Sequence, residues 1–105
     1  MSKSVHQLHK EAFVVDTHCD TPLRIDEERA DLGVKSNEGH NDFVRMKEGG
    51  VDLCFYAIFT RTKLSPDQST VQAIRLIGET KDMIEANSDK VALATSVREA
   101  REIKN

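Results

Sequence analysis

Asp16, His18 and Asp20 stand at alternate positions in the stretch FVVDTHCDTP, residues 13–22, where an apolar run turns abruptly polar. In an extended strand successive side chains alternate faces, so these three share one face while Thr17 and Cys19 take the other. Side chains two positions apart stand roughly 6–7 Å apart along a strand. That is close enough for an imidazole nitrogen and a carboxylate oxygen to reach one cation at about 2.0–2.2 Å each. An ionised Asp at the end of a buried strand needs a partner, and a divalent cation is an efficient one. His18 and Asp20 are therefore the candidate metal ligands. Asp16 could ligate, orient His18 from behind or bond backbone, and it is left outside the ligand set. A strand end finished with polar groups is the plainer alternative.

The same chain contains a control. His40-Asn41-Asp42 has the same His-x-Asp spacing, but it follows Gly39 in a polar stretch with no apolar strand leading in. A loop or substrate-side polar contact is the expectation there. His6 and His9 sit three apart on an exposed helix and are read as solvated. Cys19 and Cys54 are read as small buried hydrophobes, the commonest role of a free cysteine. No Gly-x-Gly-x-x-Gly occurs, and Gly49-Gly50 precedes a strand rather than a helix, so no phosphate-cradling loop is present.

The elements that must position these groups follow from periodicity and caps. Ser4 with Gln7 has capping-box spacing and opens a short helix from Val5 to about Glu11. Ala12 to Val15 reads as a strand that is apolar on both faces, as in a covered parallel sheet, and Pro22 ends it. Arg24 to Asp42 is a long polar excursion, with a helical turn at Asp26 to Ala30. Phe43, Met46 and Lys47 form another turn, stopped by Gly49-Gly50. Val51 to Thr60, VDLCFYAIFT, is the clearest strand, with both faces built for burial. Ser65-Pro66-Asp67-Gln68 starts a long helix. Its apolar stripe includes Val71, Ile74, Ile77, Met83 and Ile84, and it should end near Ala86-Asn87 and lie on the preceding strand. Val91 to Thr95 is a short strand candidate. Ser96 and Glu99 open a last helix, which runs to about Lys104.

At 105 residues, 38% hydrophobic and 31% charged, the chain is one modest globular domain at most. A net charge of −3 gives no basic face for nucleic acid. The longest apolar run, Leu53 to Phe59, is too short to cross a bilayer, and the N-terminus has no apolar core for a secretory signal. Two cysteines make no disulfide framework, so a reduced cytoplasmic setting is the default. Strands alternating with helices favour an α/β fold with a parallel sheet. So few apolar strands leave unpaired edges, which could pair in a homo-oligomer, and the inventory looks like the opening third of a larger fold.

VVDTHCDTP resembles the first-strand signature of the membrane (renal) dipeptidase family. The DEERADLG region and GHNDFVRMKEGGVDLCFYAIFT are similar to later segments of that family in the same order, and together these cover Phe13 to Thr60. The resemblance implies a metal-dependent hydrolase on a (β/α)₈ TIM-type barrel, with its site at the C-terminal ends of the strands. Residues 1–105 would then be a partial barrel domain, roughly the first third of a catalytic domain. It implies that His18 and Asp20 hold one ion of a two-zinc site and that a metal-bridging hydroxide attacks the peptide bond of a dipeptide. A bridging Glu and two later His would lie beyond Asn105. Two protein ligands fall short of the three a catalytic zinc normally needs, so the expectation is a truncated zinc dipeptidase, inactive alone. Two other readings stay open. One is another barrel hydrolase, an amidohydrolase or TatD-like nuclease, against which Asp20 in place of a second His argues. The other is a non-catalytic α/β binding module.

Overall fold

A computed structural model describes residues 2–105. Its elements, in chain order, are α1 (Val5–Glu11), β1 (Val15–Cys19), α2 (Pro22–Glu28), α3 (Phe43–Gly49), β2 (Leu53–Tyr56), α4 (Pro66–Ala86) and α5 (Val97–Lys104). β1 and β2 form a parallel two-stranded sheet. The chain is thus α/β, with a parallel pair of strands and helices between and after them.

Local chemistry explains most helix ends. Ser4 and Ser65 each accept the N–H three residues on, while Gln7 and Gln68 reach back to the cap, so both capping boxes form. Asp42 and Ser96 cap α3 and α5 through Arg45 N–H and Glu99 N–H. Gly50 closes α3 at φ 75°, in the left-handed region where a side chain would be strained.

The strands differ from the sequence expectation, because ladder pairing rather than apolarity sets their ends. β1 begins at Val15, where the expected strand ended, and runs through the polar residues to Cys19. Pro22 does not merely stop it but occupies the first turn of α2, which takes up the start of the polar excursion. β2 covers only Leu53–Tyr56 of the ten residues expected, because β1 has ended and Ala57 N–H makes the last bond, to Cys19 O at 2.8 Å. Residues 91–95 form no ladder and are not a strand. Val91 N–H turns back to Asn87 O instead.

Packing also departs from the pattern. α4 lies on α2, with Gln72, Leu76 and Thr80 buried, while Val71, Ile74 and Ile77 of its stripe stay exposed. Phe55 on β2 is exposed too. The core is a small cluster of Ile25, Leu32 and Phe43, against which Tyr56, Met83, Ile84 and Val91 pack. The radius of gyration is 15.5 Å, against about 13 Å for a closed globule of this length. The molecule is elongated, and much of its apolar surface faces solvent.

Ion pairs tie α2 to its neighbours. Arg75 grips Asp26 at 2.6 and 3.1 Å, and Arg61 grips Glu27 at 2.9 and 2.5 Å. The Arg75 hydrogen bonds hold Asp26 below the usual carboxylate range, against a modest opposing effect of burial. Glu79, beside Asp26, is pushed the other way: burial first, then the Asp26 charge, outweigh Arg75 and Arg29. One Glu79 oxygen is buried without a partner. A carboxyl whose folded pKa is raised binds its proton more tightly in the folded state. Stability is therefore lost as pH rises from the ordinary value of 4.5 through the folded one. Glu79→Gln is expected to stabilise the chain at pH 7 by roughly 1 kcal/mol, since its amide is neutral and can donate to Asp26. Thermal melts should show that gain shrinking toward zero as pH drops to 4.5 and below. An equal gain at both pH values would refute the account.

Candidate functional site

His18 and Asp20 lie at and just beyond the C-terminal end of β1, in the turn that leads into α2. The His18 Nε2–H donates to Asp20 Oδ1 at 3.0 Å, and the two side chains are 67% and 51% exposed. Solvent access makes this bond weak in itself, but it shows the two groups converging on one point. A four-coordinate zinc holding one nitrogen and one oxygen at about 2.0–2.1 Å separates them by about 3.4 Å. The pair needs to open by only a few tenths of an ångström to fit, so the donor set suits zinc.

Asp16 does not join them. Asp16 faces Cys54, and Cys19 faces Tyr56, so three steps along β1 match two along β2. The extra residue is a bulge, and side-chain alternation inverts across it. Asp16 and Cys19 therefore come to the same side as Cys54, contrary to the shared face expected for Asp16, His18 and Asp20. The Asp16 carboxylate accepts the His18 backbone N–H at 3.1 Å, which is the backbone role left open for it. One ligand atom each from Asp16, Cys19 and Cys54 lie within 4.8 Å of one another. Among the described residues this is the sole group of three or more potential ligands, and His18 and Asp20 are not in it.

Sequence reasoning missed that grouping by treating both cysteines as core filler. Each is only partly buried. Burial, with Cys19 and Asp16 alongside, pushes the Cys54 thiol up to about 12. The Cys19 thiol shares a hydrogen bond with the Thr21 hydroxyl at 2.9 Å. The signal available in the sequence was the position of each Cys near the middle or end of an apolar strand, but pairing them required the register and its bulge.

The second His-x-Asp is structural. Asp42 is 1% exposed and caps α3, Asn41 accepts the Tyr56 hydroxyl, and His40 is exposed. Burial raises the pKa of that hydroxyl strongly, and the neighbouring thiols and carboxylates add to the effect. His9 is not free, since its Nε2–H donates to Gly49 O at 2.7 Å, tying α1 to the end of α3. No helix in the described residues is long and apolar enough to cross a membrane.

A comparison with curated proteins returns no match. The sequence profile of the membrane dipeptidase family (Peptidase family M19) matches residues 2–105. That match covers nearly the whole chain and contains the strand end where His18 meets Asp20. The chain belongs to the membrane dipeptidase family.

Proposed function

We propose that this chain supplies the first metal-ligand pair, His18 and Asp20, of a zinc-dependent dipeptidase site, and that its 105 residues are the opening portion of a (β/α)₈ barrel. The observation that carries the reading is the 3.0 Å approach of His18 Nε2 to Asp20 Oδ1 at the C-terminal end of a parallel strand, in a member of a dipeptidase family. Active sites of such barrels gather at that end of the strands.

Zinc held by this pair would supply Lewis-acid polarisation of the peptide carbonyl and a water acidified to attack it. The chain's own residues perform the placement. The β1 ladder fixes the backbone, and Asp16 accepts the His18 N–H so that the strand end holds its course past the bulge. His18 and Asp20, both reachable from solvent, leave one side of the ion open for a dipeptide. Among the described residues no third ligand joins the pair. Taken by itself this polypeptide is therefore proposed to bind zinc weakly at His18 and Asp20 and to leave dipeptides uncleaved, since catalytic zinc sites use three protein ligands.

The experiment reads the histidines separately. In a Cys19→Ser/Cys54→Ser background, zinc is titrated while the imidazole resonances of His6, His9, His18 and His40 are followed by NMR. Zinc should shift His18 first, and Asp20→Ala should weaken that response by about tenfold or more. Equal response from all four histidines, or indifference of His18 to Asp20→Ala, would remove the assignment. Dipeptide hydrolysis by the zinc-loaded chain would contradict the inactivity.

A further inference from the structure

We propose a second metal site on the other side of β1, formed by Asp16, Cys19 and Cys54 and selective for a thiophilic d¹⁰ cation such as zinc or cadmium. It goes beyond the His18–Asp20 reading and does not depend on it.

The geometry comes from the bulge. Residues directly opposed on paired strands point to the same side of the sheet, and Asp16 opposes Cys54 while Cys19 opposes Tyr56. Cys54 and Tyr56, two apart, share a side. Asp16, Cys54 and Cys19 are thereby gathered on one side, which a regular strand could not do with Asp16 and Cys19 three positions apart. Their ligand atoms lie within 4.8 Å of one another. A tetrahedral zinc separates two thiolates at about 2.3 Å by about 3.8 Å, so small rotations about the two cysteine Cα–Cβ bonds, which move the Sγ atoms, bring ligand atoms already within 4.8 Å onto an ion. Neither cysteine is in a disulfide, and both are partly accessible.

The donor set is selective. Two thiolates and one carboxylate favour zinc, cadmium or cuprous ion over magnesium or calcium, which take all-oxygen sites. Three protein ligands with Asp16 exposed leave a fourth position to solvent. On binding, each thiol releases its proton to solvent, and the ion joins β1 to β2 across the irregular stretch of the ladder. The site sits on the backbone that carries His18 and Asp20, so loading it would stiffen the strand end that positions them.

The test uses His18→Ala/Asp20→Ala, which deletes the other pair, titrated with cadmium chloride under a phosphine reductant. The expected result is one cadmium per chain with the ultraviolet thiolate-to-cadmium charge-transfer band of two thiolates. Adding Cys19→Ser or Cys54→Ser should reduce the band and weaken binding by at least about tenfold. Asp16→Asn should keep the band but weaken binding by at least about fivefold. In the unsubstituted chain, cadmium-113 NMR should report sulfur coordination, a readout that no substitution can disturb. Absence of the band and of a sulfur-shifted cadmium resonance overturns the site, as does undiminished affinity in either serine variant. Unchanged affinity in Asp16→Asn overturns the three-ligand arrangement. The His18 titration by zinc is read in the cysteine-free background, so the two readings fail independently.

Discussion

Replacing Asp42 with alanine is expected to destabilise the chain by about 3 kcal/mol. Its carboxylate accepts the Arg45 N–H at 2.7 Å, the Arg45 Nε–H at 2.5 Å and the Ser36 N–H at 3.1 Å, and the residue is 1% exposed. The loss of the N-cap costs about 1 kcal/mol. Leaving donors part-buried without their acceptor adds roughly 1–3 kcal/mol. Arg45 keeps its bonds to Gly39 O and Glu38 O, which holds this second contribution near the middle of its range. Burial alone would raise the Asp42 pKa, but the Arg45 and Ser36 backbone N–H groups, with the Arg45 guanidinium, outweigh it and hold the carboxyl below its ordinary 3.8. A lowered folded pKa means that the stabilisation is fully present above 3.8 and is lost as pH falls through the folded value. Asp42→Asn, which caps equally well but meets two further donors with an amide, should cost about half as much as the alanine. Urea unfolding at pH 7 measures both. An alanine variant within about 0.5 kcal/mol of the parent, the range of neutral surface changes, would defeat this account.

Asp42 also marks how far the sequence could be read. Its His-x-Asp spacing matched that of His18 and Asp20, and the absence of a leading strand set it apart. What spacing could not supply was the positive role, because the cap is defined by where α3 starts and by Ser36 folding back over it. Helices were legible where a short-range code exists: Ser4 with Gln7, Ser65 with Pro66 and Gln68, and Ser96 with Glu99 all mark starts that the structure keeps. Strand ends were not, because a strand exists only where a partner completes its ladder. VALAT has the composition of a strand and no ladder. VDTHC has a polar composition and pairs with β2. The bulge is the hardest case. It separates Asp16 from His18 and Asp20 and brings it to Cys54, and only the register of two distant segments reveals it. His18 lies within the irregular stretch and Asp20 just past its end, yet the two side chains still meet at 3.0 Å.

Leu32 is the strongest case of a core residue that pattern could not find. It is the lone leucine of the polar segment ERADLGVKSNEG, outside any helix or strand, yet it is 1% exposed. Its position is fixed from both sides. Arg29 takes the left-handed conformation at φ 56° and closes α2, turning the chain inward, and Leu32 O accepts the Phe43 N–H at 2.8 Å. The side chain then completes the cluster with Ile25 and Phe43. Leu32→Ala should therefore cost about 3 kcal/mol, the lost transfer energy plus the cavity left where Ile25 and Phe43 are held by their own helices and cannot collapse. Val34→Ala, two residues on and 58% exposed, should change stability by no more than about 0.5 kcal/mol. Because Leu32 O bonds the residue that follows the Asp42 cap, Leu32→Ala and Asp42→Ala should be non-additive. The double variant is expected to lose less than the sum by about 1 kcal/mol, as neighbours in one network do. Urea midpoints of the four variants and the parent decide this. Equal losses from Leu32→Ala and Val34→Ala would mean that the segment is not held against the core, and strict additivity would mean that the cap and the cluster are separate supports.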